Sequence, residues 1–87
     1  MGVHSKAIPK IISPDDYIRY EIPVGVINGT NDTFGILNPP VLGTVEVFYN
    51  GILQAPIFEY NIVGQILTMI KPPRTGRDFY IHYIKLV

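Results

Sequence analysis

The chain has 87 residues, no cysteine, and seven basic against seven acidic residues. This length predicts a single domain, and the lack of cysteine excludes a disulfide framework and a thiolate metal site. A net charge of zero argues against a nucleic-acid interface, which needs a basic surface, and no apolar run approaches the roughly 20 residues of a membrane span. Only 16% of the residues are charged and 47% are apolar. A domain this small and this apolar is expected to bury part of its surface against a partner.

Residues 1–20 differ from the rest and are predicted to form an N-terminal arm ahead of a domain at residues 21–87. The arm has two prolines and no regular apolar period, yet it carries Ile8, Ile11 and Ile12. Such an apolar segment is not expected to remain solvated. Two interpretations stay open: the arm packs on the edge of its own domain, or it becomes ordered only against a neighbouring subunit.

After the arm, short β-branched or aromatic runs alternate with turn residues about every 8 to 12 positions, a pattern typical of sandwiches and barrels. The predicted strands cover residues 24–27, 33–37, 44–49, 52–54, 58–63, 66–71 and 78–87. No window shows the apolar period of a helix. The sequence therefore predicts an all-β, immunoglobulin-like β-sandwich of six or seven antiparallel strands.

The stretch VEVFYNGILQ contains the clearest local signal in the chain. Asn50-Gly51 separates two apolar runs, and a two-residue type I′ turn needs φ > 0 at both central residues, which Asn and Gly adopt at least cost. The stretch is therefore predicted to be a β-hairpin whose Asn-Gly pair is conformational rather than chemical. Strand alternation then directs Val47 to one face and Phe48 to the other.

Four stretches, IPVGVINGTNDTF, NPPVLGTVEVFYNGILQ, EYNIVGQILTM and KPPRTGRDFYIHYI, occur in this order over residues 22–84. Their order and spacing resemble a small β-sandwich module of tailed-bacteriophage virion proteins, found in head and tail fibres and as a free-standing capsid protein. The matching residues are Asn28–Asn31, Phe34, Pro40, Gly43–Val45, Val47, Phe48, Asn50, Gly51, Gln54, Glu59, Tyr60, Gly64, Leu67, Thr68, Pro72, Pro73 and Gly76. Arg77-Asp78 departs from the module and puts only the length of that turn in doubt.

The resemblance implies a capsid decoration or cement protein located on the outside of the virion. Its expected partners are the major capsid protein and further copies of the chain, with a trimer as the first guess. The alternative is a tail- or head-fibre or adhesin module that binds a host-surface receptor. The short chain, which has neither a long shaft nor several modules, favours the decoration protein over the fibre.

No constellation of residues points to catalysis. His4 and His82 lie at opposite ends of the chain, and Asp15-Asp16 follows Ser-Pro, as in a solvated turn or a helix start. No phosphate-binding glycine loop or nucleophile motif occurs. We expect a protein that is not an enzyme and has no catalytic residue, cofactor or metal site.

Strand alternation also nominates an interface. If Leu67 and Phe79 point into the core, every second residue from Ile66 and from Tyr80 points outward. The two strands concerned are predicted to be neighbours across the turn at 72–76, so that their outer faces would merge into one apolar patch. The predicted interface consists of Ile66, Ile70, Tyr80, His82, Ile84 and Leu86, with Ile8, Ile11 and Ile12 from the arm. The alternative is that the chain's own arm or a second sheet covers this patch.

Overall fold

A computed structural model describes residues 16–86, which form seven β-strands. The strands are β1 (Tyr17–Glu21), β2 (Thr33–Gly35), β3 (Glu46–Tyr49), β4 (Ile52–Leu53), β5 (Tyr60–Val63), β6 (Ile66–Met69) and β7 (Phe79–Ile84). They make two antiparallel sheets, one in the order β1-β7-β3-β4 and one in the order β2-β6-β5. The predicted all-β sandwich is confirmed.

Two local boundaries differ from the prediction. The first strand begins at Tyr17, inside the predicted arm. It pairs with β7, and Tyr17 lies opposite Ile84. The predicted strand at 24–27 is reduced to a single bridge between Val24 and Gly35. Its alternating valines resemble a strand in sequence, but Pro23 and Gly25 interrupt the regular pairing on either side.

The predicted pairing of β6 with β7 is wrong. β6 lies at the centre of the three-stranded sheet, whereas β7 lies between β1 and β3 in the other sheet. The chain crosses from one sheet to the other over residues 70–78. This connection contains Pro72 and Pro73 and is not a tight hairpin turn. The outer faces of these strands therefore belong to opposite sides of the sandwich and cannot merge into one patch.

The core lies between the inner faces of the two sheets. Val47, Ile81 and Tyr83 are fully buried on one sheet, and Leu67 is fully buried on the other. Phe34 and Phe79 join the sheets, with ring centroids 5.0 Å apart in an edge-on arrangement. The rest of the core consists of Ile36, Tyr60 and Met69. Burial of such side chains contributes about 1.5–3 kcal/mol each, which makes this cluster the main source of stability.

The central hairpin forms as the sequence predicts. Tyr49 pairs with Ile52, so that Asn50 and Gly51 are the two turn residues. Their φ angles are +56° and +78°, which are the signs that a type I′ turn requires.

A buried polar cluster ties β1 to β7 and to the loop after β2. The Tyr83 hydroxyl donates to Glu21 Oε1 at 2.6 Å and accepts hydrogen bonds from the backbone and side-chain nitrogens of Asn38. The other carboxylate oxygen of Glu21 accepts from the Leu37 N–H at 2.9 Å. Because Glu21 is only 8% exposed, these donors replace the water that its carboxylate loses on folding.

Replacing Tyr83 by Phe should therefore destabilise the domain. The variant keeps the ring but leaves the Glu21 carboxylate short of one donor, at a cost of about 1–3 kcal/mol in the free energy of unfolding. Urea denaturation measures this loss. Tyr49→Phe is the matched control, because it removes one exposed hydrogen bond to the Arg74 N–H and should cost less than about 1 kcal/mol. Equal losses in the two variants would contradict a structural role for the Glu21 cluster.

Stability should also fall in alkali. Burial, and then the hydrogen bond to Glu21, raise the pKa of Tyr83; burial, and then the charge of Glu46, raise that of Tyr60. The folded state holds these protons more tightly than the unfolded chain, whose tyrosines titrate near pH 10. Their contribution is therefore complete below about pH 10 and is lost as the pH rises through the folded-state values. Urea denaturation above about pH 10 should show this decline, and Tyr83→Phe should make it shallower.

Candidate interaction surface

The outer face of the four-stranded sheet carries a cluster of aromatic rings. We call Tyr17, Tyr20, Phe48, Tyr80 and His82 the aromatic face. On β3 and β7 the alternation that buries Val47 and Ile81 directs the neighbouring side chains outward. The outer side of an antiparallel sheet is normally polar where water covers it, so this face departs from the pattern of a solvated surface.

The rings of the aromatic face contact one another around His82. Phe48 and Tyr80 are stacked, with centroids 5.1 Å apart and planes 17° apart. The His82 ring lies 4.9 Å from Phe48, 5.6 Å from Tyr80 and 4.8 Å from Tyr20. Tyr17 closes the cluster edge-on at 6.4 Å. Such ring pairs contribute about 0.5–1.5 kcal/mol beyond their buried area, so the cluster is a semi-rigid platform rather than a set of independent side chains.

An irregular backbone brings Tyr20 onto this platform. The register between β1 and β7 shifts between Ile18 and Glu21, and Tyr20 takes a φ of +55°. This left-handed conformation costs a residue with a Cβ about 1–2 kcal/mol. The result is a ring that lies over Tyr80 and His82 but is still 65% exposed. Strain that holds an aromatic side chain at the surface is typical of binding sites.

His82 contributes a ring nitrogen with an unsatisfied hydrogen bond. Its Nε2 atom is enclosed, and no group of residues 16–86 donates to it or accepts from it. An enclosed polar atom without a partner costs about 1–3 kcal/mol. The aromatic face is thus not arranged for the greatest stability of the free domain.

Charged and aliphatic side chains surround the rings. The guanidinium carbon of Arg19 lies 4.6 Å from the Tyr17 ring centroid, and Glu46 stands opposite His82 in the pairing of β3 with β7. Leu53 pairs with Phe48 at the other edge of the sheet and is 53% exposed. An apolar, aromatic centre with a charged rim is the usual composition of a protein–protein interface.

The structure separates the residues that were predicted to form one interface. Tyr80, His82 and Ile84 lie on the outer face of β7, whereas Ile66 lies on the outer face of β6, on the opposite side of the sandwich. Ile70 follows β6 and lines a groove with Tyr49 and Ile52. Leu86 follows β7 and is 57% exposed. Ile8, Ile11 and Ile12 lie outside the described residues.

Ile66 belongs to a second, smaller apolar row across the three-stranded sheet. Val24, Gly35, Ile66 and Val63 follow one another through consecutive pairings. Val24 and Val63 are 56% and 76% exposed. The next row, Thr33, Thr68 and Asn61, is polar. This sheet is therefore only partly apolar on its outside, and the aromatic face is the stronger candidate for an interface.

Three members of the aromatic face were missed in the sequence. Phe48 could have been identified from the sequence. The alternation of β3 directs it outward, because its neighbour Val47 points into the core. Tyr17 and Tyr20 were assigned to the arm, because SPDDYIRY has no clean two-residue period. The register shift that places Tyr20 on this face cannot be recognised in the sequence.

The Asn28–Asp32 loop carries two amide side chains and uses them internally. Asn28 Oδ1 accepts from the N–H groups of Thr30 and Asn31 at 2.9 and 2.8 Å. The Asn31 amide donates to the carbonyls of Val26 and Thr33. These side chains shape the turn and have little capacity left for a ligand.

Residues 16–86 contain no group of three or more side chains that could hold a metal ion. No helix in that same range is long and apolar enough to cross a membrane. Comparison of the chain with protein-family models, with curated proteins and with solved structures gave no match.

If the aromatic face is a surface rather than part of the core, its most exposed ring should be dispensable for folding. Tyr20→Asn removes a ring that is 65% exposed and places there a residue that tolerates positive φ. The free energy of unfolding should change by less than about 1 kcal/mol. Phe48→Ala, at a half-buried position, should cost about 2 kcal/mol. Urea denaturation tests both, and equal losses would assign Tyr20 to the core.

Proposed function

We propose that this protein is a bacteriophage capsid decoration or cement protein that binds the outer capsid surface and stabilises contacts between capsid subunits. The observation that carries the proposal is the aromatic face, a ring platform on the side of a sheet that water would otherwise cover. The resemblance of residues 22–84 to a virion module supplies the class of partner, the major capsid protein.

The mechanism is burial of apolar surface without chemistry. Tyrosine and arginine are the residues that most often dominate binding energy at interfaces, and Tyr17, Tyr20 and Arg19 occur together at one edge of the aromatic face. The stacked Phe48 and Tyr80 rings provide a preformed centre that loses little conformational entropy on binding. A protein of this kind stabilises a capsid by contacting two of its subunits at once.

The residues that carry the resemblance have local structural roles, which is compatible with a common module. Asn28 and Asn31 build the first turn, and Asn50 and Gly51 build the hairpin. The Glu59 carboxylate accepts from the Ala55 N–H at 2.8 Å and closes the loop before β5. These motifs therefore support an assignment of fold family, while the aromatic face supports the assignment of binding.

Sedimentation of the purified protein with capsids that lack it tests the proposal. We expect co-sedimentation in a fixed ratio to capsid subunits and a higher temperature of capsid disruption. Tyr80→Asp should lower capsid affinity at least tenfold, because it removes the central ring of the face and would bury a carboxylate against the capsid. Val26→Asp is the charge-matched control: Val26 is 64% exposed in the loop before Asn28 and should not affect binding. Equal effects of the two changes would contradict binding through the aromatic face.

The alternative, a fibre or adhesin module, shares the same face. The Tyr20 ring, which is 65% exposed, also offers an aromatic surface to a host-surface glycan. A protein that ignores capsids but binds host cells, and loses this binding in Tyr80→Asp, would establish the alternative. Binding to neither capsids nor cells would refute both functions.

A further inference from the structure

Another exposed apolar surface, which includes neither the aromatic face nor the row on the three-stranded sheet, lies in two loops. Leu42, in the loop before β3, is 95% exposed, and Ile57 and Phe58, in the loop before β5, are 74% and 81% exposed. We call these three side chains the apolar tip. Single exposed apolar residues are common, but three large ones in neighbouring loops are the usual mark of an interaction site.

Phe58 lines a separate groove beside Tyr49 and Ile52. The other two residues of the apolar tip border a groove of about 320 Å³. Leu42 and Ile57 stand on its walls, and the remaining lining is largely apolar: Pro40, Val41, Val45, Pro56, Tyr60 and Ile62. A groove of this size accepts one or two aliphatic or aromatic side chains. Protruding apolar side chains and a receiving groove therefore occur in the same patch.

The loop that carries Ile57 and Phe58 is held in place by its own hydrogen bonds. The Ile57 N–H donates to the Tyr60 carbonyl at 2.7 Å, and the Glu59 N–H donates to the Ala55 carbonyl at 2.8 Å. The Glu59 side chain returns a further bond to the Ala55 N–H. The two exposed side chains are thus presented by an ordered loop, and binding would cost little loop entropy.

Ile57 is in a strained conformation. Its φ is +74°, a region that β-branched residues almost never adopt and that Asn or Gly adopts readily. Neither the strain nor the exposure of this isoleucine benefits the isolated domain. A binding partner that buries Ile57 would offset both.

We propose that the apolar tip is a self-association site that pairs with the same patch on a second copy of the chain. Protrusion and groove lie side by side, so a twofold axis through the patch places the protruding side chains of each copy in the groove of the other. The exposed side chains supply part of the roughly 800 Å² per partner that a stable interface buries. The groove walls supply further area.

Charge does not oppose this pairing. None of the residues that line the groove is ionisable at neutral pH, and the whole chain has a net charge of zero. No like charges therefore meet within the groove itself. The smallest assembly is then a dimer, in place of the trimer that was the first guess. This inference does not rest on the capsid-binding function, because no member of the aromatic face lines the groove.

Sedimentation equilibrium over a range of protein concentrations tests the proposal. The protein should reversibly form dimers, and Ile57→Asn should weaken the dimer at least tenfold. In urea, at a concentration where both proteins are monomeric, Ile57→Asn should unfold at the same or a higher midpoint because it relieves strain. A variant that associates more weakly but is at least as stable as the wild type has lost a contact between copies, not a contact needed for folding. A wild-type monomer at every concentration, unchanged dimerisation of the variant or a lower midpoint would overturn the proposal.

The absence of cysteine allows a direct second measurement. Pro56→Cys and Asn61→Cys lie in the groove lining but leave the apolar tip intact. Prepared separately and mixed under oxidising conditions, they should form crosslinked dimers faster than either mixed with Val26→Cys. Val26 is 64% exposed and does not line the groove, which makes it a matched control. Equal crosslinking at all three positions would show random collision and would contradict pairing through the apolar tip.

Discussion

The rest of the structure depends on β7, which has a neighbouring strand on each edge and separates a core face from an outer face. This strand is hydrogen-bonded to β1 over its C-terminal half and to β3 over residues 79–82, so it joins the edge strand β1 to the β3–β4 hairpin. Its alternation sends Phe79, Ile81 and Tyr83 into the core and Tyr80 and His82 to the outside. One strand therefore anchors the sandwich, holds the buried Glu21 cluster and supports the centre of the aromatic face. A change in its register by one residue would exchange core and surface.

Exposed apolar side chains and backbone strain occur together in this protein. Three described residues other than glycine have positive φ, and one of them, Asn50, belongs to a turn that demands it. The other two, Tyr20 and Ile57, lie in the aromatic face and the apolar tip and are 65% and 74% exposed. Since strain and exposure both reduce the stability of the free domain, their coincidence at two separate places favours two binding surfaces. In the two proposals, one surface binds a capsid and the other binds a second copy of the chain.

Much of the fold could be predicted because its signals are local. Asn50-Gly51 between two apolar runs favours a two-residue turn, and the alternation in VEVFY and FYIHY assigns inner and outer faces without knowledge of the partner strands. The same local signals do not show which residues of different strands lie together. Alternation correctly placed Tyr80 and Ile66 on outer faces, but which strands are neighbours depends on contacts distant in sequence, and β6 and β7 proved to lie in different sheets.

By itself, then, the sequence determined the all-β class, the central hairpin and the orientation of side chains along β3, β6 and β7, since these follow from residue type and a two-residue period. The tertiary structure alone decided that Phe48, Tyr80 and His82 meet Tyr17 and Tyr20 on one face. It also decided that Leu42 and Ile57 border one groove. Both groupings arise from strand order and from the shift in register before Glu21, which are set by packing of the whole core and are not encoded in any short segment.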